Sequence, residues 1–392
     1  YGEGTYTFNH EKNTAGTNKI SVGSDAIGIY AKEASGTLNI KAPIDIAASG
    51  TGTTIGIYSD GEAKVNFGEN SKLTIGKGAV GLYSSVPTKF SNTFKVETGK
   101  SLQVELGQNS TLGLLNGATG TVNVGTYLQN NTINISSFGS GASIFFTTGG
   151  ITANLDQNYT VTNGTAASTA VLVGSKGSTV KIDTGKTLTT NTNVALIATK
   201  AGGTNGSTAQ NEGNIISTKD SGIGIYTNES TGNSTGTVTM QKTSSVAILG
   251  EKNSTLTNSG KIELEKDKSA GIYGKDSNAT NSGTGTNKGI YVKDEKSAGI
   301  YGLLTSSANG AKTLSNTGLV KVENTGKSAS AGIYAKLDST ATNKLSTQNS
   351  GTIEVAQKAS AGIYADNISS QANTQSEVTN TGLVKMTAEA SV

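Results

Sequence analysis

Thirteen times along this chain a Gly-Ile-Tyr step, or a degenerate of it, returns every 23 to 33 residues. Its third residue falls at Tyr30, Tyr58, Tyr83, Leu115, Phe145, Val173, Ile197, Tyr226, Leu249, Tyr273, Tyr301, Tyr334 and Tyr364, each preceded by Ile or Leu. A period of this length marks stacked supersecondary units, none of which can bury its apolar face alone. Residues 1–392 therefore read as one array and one domain. Its repeats are regular over 20–90 and 205–392 and divergent over 91–204, where the spacing persists without the full hallmark.

The clearest unit runs Asn258-Ser259-Gly260-Lys261-Ile262-Glu263-Leu264, a charged turn over 265–268, then Ser269-Ala270-Gly271-Ile272-Tyr273-Gly274. Residues 262–264 and 270–273 alternate as strands do, and 255–258 supplies a third strand. Three short strands per repeat, separated by Gly, Asn, Ser and Lys turns, predict an all-β fold: a right-handed parallel β-helix of about 13–14 coils. At ~4.8 Å per coil the stack is roughly 65 to 70 Å long. Gly289-Ile290-Tyr291 resembles another hallmark, but its distance from Gly299 matches that of Gly260 from Gly271, so it takes the first-strand position.

Asn258, Asn316 and Asn349, with Asn211, open their repeats. Stacked Asn side chains can hydrogen-bond from coil to coil as a ladder; a ligand-binding role for the column is the alternative. Alternation sets Ile272 inward and Tyr273 on the opposite face, so Tyr273, Tyr301, Tyr334 and Tyr364 form either a half-buried aromatic ladder or an outward stacking platform.

With 33% apolar residues the chain could be disordered, but periodic Ile and Val argue for a thin, regular core. There is no Cys, which excludes disulfides and Cys-based zinc sites. All 31 basic residues are Lys, set among 28 acidic ones, a solvated pattern that argues against a nucleic-acid partner. All seven Phe lie at or before Phe146, so the first half has a bulkier core or exposed apolar groups. No apolar run is long enough to span a membrane as a helix. The start at Tyr1 and the stop at Val392, inside a repeat, read as a fragment.

Gly-Lys-Ser/Thr triplets at Gly99, Gly185 and Gly326 lack the upstream Gly of a phosphate loop: Phe94, Val180 and Lys321 stand there instead. His10, the only His, cannot build a triad or a metal site. No cofactor or metal is expected. β-Helices also host polysaccharide-degrading enzymes, but those chemistries need Arg or Lys with acid-bound calcium, or clustered Asp, and here the acids are scattered.

The elements Asn-Ser/Thr-Gly-x-h-x-h (h, apolar) and Ser-Ala-Gly-Ile-Tyr-Ala/Gly, at 258–274, 316–335 and 349–365, resemble the passengers of large fusobacterial type V autotransporter adhesins, the RadD-like family. The resemblance is specific over 20–90 and 205–392 and architectural between. It implies a non-catalytic, monomeric, surface-displayed passenger that binds a host-cell or bacterial receptor, protein or glycan. It also implies an upstream signal peptide and a downstream outer-membrane β-barrel, through which alone the protein meets the membrane. A passive spacer within a longer passenger is the alternative function, and a polysaccharide-degrading enzyme a remote one.

Loops on a rigid scaffold are the usual seat of recognition. After Tyr301, Tyr334 and Tyr364 the connection doubles, giving arms at 302–315, 335–348 and 365–379. These would raise a lateral patch with Leu303, Leu304, Lys312, Leu337, Asp338, Lys344, Asn367, Ile368 and Glu377; the alternative is that they only lengthen the third strand. A second candidate is 84–100, where Pro87, Phe90 and Phe94 interrupt the pattern.

Overall fold

The computed structural model describes residues 5–9, 19–32, 36–61, 63–323, 326–339, 341–367 and 376–387. Parallel sheets, 54% of the chain in strand against 4% helical, form a β-solenoid of about 12 turns. The chain divides into two compact units, Tyr1–Lys181 and Ile182–Val392.

In the second unit each coil supplies a first strand such as Lys261–Leu264, a hallmark strand such as Ala270–Lys275 and a third strand such as Asn278–Asn281. Each pairs in parallel with its counterpart one coil on. Lys261 and Glu263 are half-buried while Ile262 and Leu264 are buried, the period-2 alternation of a strand with one face on a core. Ile262 lies between Val238 and Ile290, and Leu264 between Met240 and Val292. Gly289–Val292 is thus a first strand, as its spacing predicts. Ile272, Ile300 and Ile333 of the hallmark strands are fully buried, and each such side chain contributes about 1.5–3 kcal/mol.

Polar ladders hold the corners of this unit. Asn258 donates to Asn281 at 2.9 Å, Asn281 to Asn316 and Asn316 to Asn349 at 2.8 Å, and Asn349 to Asn380 at 2.7 Å, each from Nδ2 to Oδ1. Asn258, Asn281 and Asn316 are fully buried, so the ladder satisfies groups that would otherwise cost stability, all but the Oδ1 of Asn258. The Gly two residues on is required by close approach: a Cβ on Gly260 would lie 1.9 Å from the Gly236 carbonyl oxygen, and one on Gly351 2.2 Å from that of Gly318. A serine ladder precedes the hallmark strands. The amides of Ser245, Ser269, Ser297 and Ser330 donate to the hydroxyl of the serine one coil on, ending at Ser360, at 3.0–3.2 Å.

The first unit carries hallmark strands Ile27–Ala31, Ile55–Ser59, Val80–Ser84, Thr111–Asn116, Ser143–Thr148 and Ala170–Ser175. Its register corrects the sequence reading at two coils. Tyr83 pairs with Leu114, Leu114 with Phe146 and Phe146 with Val173, whereas Leu115 and Phe145 point into the core. Adjacent apolar residues, Leu114-Leu115 and Phe145-Phe146, hide the face, and a one-residue slip exchanges inside for outside. Here the unit also departs from a plain solenoid, with short helices Phe90–Thr93 and Val124–Asn130. Phe90 packs on Phe94, Tyr127 and Phe145 with ring centroids 4.9, 5.1 and 5.6 Å away.

A groove beside the tyrosine column is the candidate functional site

Because Ile272, Ile300 and Ile333 point inward, the following tyrosines project from the second unit. Tyr273 stacks on Tyr301 at 4.6 Å and Tyr301 on Tyr334 at 5.0 Å, both at 12° between planes, and Tyr364 meets Tyr334 edge-on at 5.2 Å and 62°. The geometry is that of a half-buried aromatic ladder. Ring faces are occupied by neighbouring rings, leaving edges and hydroxyls outward; Tyr364, at the end of the column, is 51% exposed. The Tyr334 hydroxyl donates to Asp366 at 3.3 Å. Burial, reinforced by neighbouring Tyr301 and Glu251, pushes the Tyr273 phenol up to about 12. Burial and Asp366 do the same at Tyr334, also to about 12. Both phenols are therefore neutral donors at ordinary pH.

Between this column and the corner where each coil enters its hallmark strand runs a groove of about 880 Å³. Its floor is the alanine two residues before each hallmark Ile: Ala270, Ala298, Ala331 and Ala361. The methyl groups keep the floor low, and the serine ladder beside them is saturated by its own hydrogen bonds. The far rim is made by Ser244, Lys268, Lys296, Ala329 and Ala359, all with φ between 46° and 62°. Left-handed backbone costs roughly 1–2 kcal/mol per non-Gly residue. The Lys268 and Lys296 side chains are 62% and 57% exposed and, among the described residues, pair only with the adjacent Asp267 and Glu295, at 3.8 and 3.4 Å. The site is thus apolar along its length, with phenols on one side and ammonium groups on the other, a combination suited to binding.

The sequence reading placed binding elsewhere. Leu304 and Leu337 are fully buried, and Lys312 is 5% exposed, its Nζ donating to the Asn309 carbonyl at 2.6 Å. They cannot belong to a surface patch. The arms extend hallmark strands Ala298–Leu304 and Ala331–Leu337 to 7 residues from the 6 of Ala270–Lys275, and fold Ala308, Ala341 and Leu345 under themselves. Leu303 and Asp338 are half-buried, while Lys344 pairs with Glu377 on the surface. Asn367 ends strand Ala361–Asn367, and Ile368 lies outside the described residues, as does His10. Pro87, Phe90 and Phe94, the second candidate, are buried: the bulk that interrupts the repeat fills the core. The recurrence of alanine inside Ser-Ala-Gly-Ile-Tyr is the one sequence signal that points to this groove.

Among the described residues, no three His, Cys, Asp or Glu side chains group so as to hold a metal ion, and no helix is long and apolar enough to cross a membrane. Compared with known protein families, curated proteins and solved structures, the chain matches none.

Proposed function

We propose that this chain is a binding segment of a non-catalytic, surface-displayed adhesin passenger of the type V autotransporter kind, and that it contacts a host-cell or bacterial receptor. The observation that carries the reading is the Ala-floored, Tyr-walled groove, a continuous recognition surface on a rigid repeat scaffold. The hallmark resemblance supports the passenger assignment. One observation favours a passive spacer instead: the tyrosine faces are engaged with one another, as they would be in a column serving stability alone.

The test is attachment of the fluorescently labelled chain to epithelial cells and to other bacteria. Wild type should bind saturably, and the double variant Ala298→Leu, Ala331→Leu, which fills the groove from its outer face, should not. Both must give the same far-ultraviolet circular dichroism. Binding undiminished in the filled variant would move the site away from the groove, and absence of binding by wild type would leave the spacer.

A further inference from the structure

We infer that the occupant of this groove is a linear acidic polysaccharide lying along the stack with about one sugar per coil. The inference rests on the binding role proposed above and specifies its ligand. Its basis is the repeat distance. The wall presents one phenol every 4.6 to 5.2 Å, and the floor presents one methyl group per coil at the ~4.8 Å strand spacing. A linear chain of pyranose rings also advances by about 5 Å per ring, so its rings keep step with strands spaced ~4.8 Å apart.

The alternatives fit less well. An extended peptide presents side chains to one side every ~6.6 Å, out of step with the coils. It also carries backbone groups that need partners, and the serine amides and hydroxyls beside the floor are already paired. An alkyl chain would cover the floor but offer no acceptor to the phenols of the column, of which, among the described residues, only Tyr334 has one, in Asp366. A sugar ring has an apolar face for the alanine methyl groups and oxygen atoms at its edge for the phenol hydroxyls.

The charge requirement comes from the opposite rim. Lys268 and Lys296 stand on adjacent coils and, among the described residues, form ion pairs only with the carboxylates next to them in the chain. Exposed pairs of that kind are weak and exchange readily with a ligand carboxylate. The five rim positions, Ser244 to Ala359, span roughly 19 Å, which is room for about four or five sugars.

The test is calorimetric titration of the full chain with oligogalacturonides of two to eight sugars, which carry one carboxylate per ring, and with neutral cello-oligosaccharides of the same lengths. Affinity for the acidic series should climb with each added sugar and level off at about five. Ala298→Leu should weaken binding at least tenfold. The double variant Lys268→Gln, Lys296→Gln should weaken it and flatten its salt dependence, as loss of exposed charges requires. Thermal melting must show each variant folded. Equal affinity for the neutral series would overturn the acidic requirement, and affinity independent of length would overturn the one-sugar-per-coil register. If neither series binds while the double variant Ala298→Leu, Ala331→Leu loses cell attachment, the polysaccharide is wrong and the groove's binding role stands; if wild type attaches to no cell, that role itself fails.

Discussion

Where the first unit closes around Phe90, Phe94, Tyr127 and Phe145, the second has no Phe or Tyr among the buried side chains of its described residues. Its interior is columns of Ile, Val, Leu, Ala and Met with hydrogen-bonded Asn and Ser at the corners. The contrast follows from coil regularity. Identical residues in register allow ladders, because each side chain finds its own kind one strand spacing away. Where coils differ, and helices Phe90–Thr93 and Val124–Asn130 interrupt the winding, the ladder shrinks to isolated rungs such as Asn154 to Asn123 at 3.2 Å. Large rings then fill the space in edge and tilted contacts, worth about 0.5–1.5 kcal/mol each beyond the area they bury.

The largest effect should come from attacking the one element the units share, the inward hallmark residue. Ile272→Asp puts an unpaired charge in a fully buried position and should destabilise the second unit by more than about 4 kcal/mol. Lys266→Glu, at an exposed turn, should change stability by less than about 0.5 kcal/mol. Urea unfolding measures both, and equal effects would mean that inside and outside are misassigned.

Next come the devices that distinguish the units. Phe90→Ala removes the ring on which the aromatic cluster converges and should cost about 3–5 kcal/mol, with amide exchange faster in the first unit only. Asn316→Ala breaks two rungs: the buried Asn349 Oδ1 loses its donor, while Asn281 Nδ2 keeps the Leu319 carbonyl at 3.0 Å, and the cost is about 1–3 kcal/mol. Its exchange signature belongs in the second unit. A smaller change of opposite sign tests the ladder directly. Ser234 stands where the column would have an Asn, and the buried Asn258 Oδ1 has no hydrogen-bond partner. Ser234→Asn should complete the ladder and stabilise by about 0.5–1.5 kcal/mol.

The smallest and most specific effect is on pH. Tyr273 and Tyr334 are raised from 10.0 to about 12, so the unfolded chain releases these protons first. The stabilisation is complete below pH 10 and is lost as pH rises through 12. Alkaline melts should show this loss, and Tyr273→Phe with Tyr334→Phe should reduce it, leaving the part due to other tyrosines raised by burial, such as Tyr226 and Tyr301.

Much of this was legible because the repeat states its own register several times. Asn258, Asn316 and Asn349 could be recognised as one column, and Gly289 could be assigned to the first strand, because neighbouring coils supply the comparison. Legibility failed where that comparison was missing. At Leu114-Leu115 and Phe145-Phe146 both neighbours are apolar, so alternation could not choose. Length alone suggested that the arms after Tyr301 and Tyr334 stand on the surface, yet Leu304 and Leu337 give them a small core of their own. For Phe90 and Phe94 the sequence leaves a bulkier core and exposed apolar groups both open, because only the three-dimensional winding opens a space for them. The groove was missed for the opposite reason: its floor is alanine, which draws attention only once the tyrosines beside it are seen to stand out from the sheet.

The asparagine rungs have one more consequence. They join residues 23, 35, 33 and 31 positions apart in sequence, yet the four bonds span only 2.7 to 2.9 Å. The ladder responds to height in the stack and is indifferent to how much chain is spent between rungs. A coil is therefore an exchangeable cassette: a gene that gains or loses one whole repeat by unequal crossing-over still presents Asn to Asn, Ser to Ser and Tyr to Tyr across the new junction. The same event lengthens or shortens the groove by one increment, so the length of the proposed binding surface can drift by recombination without any point mutation in its lining.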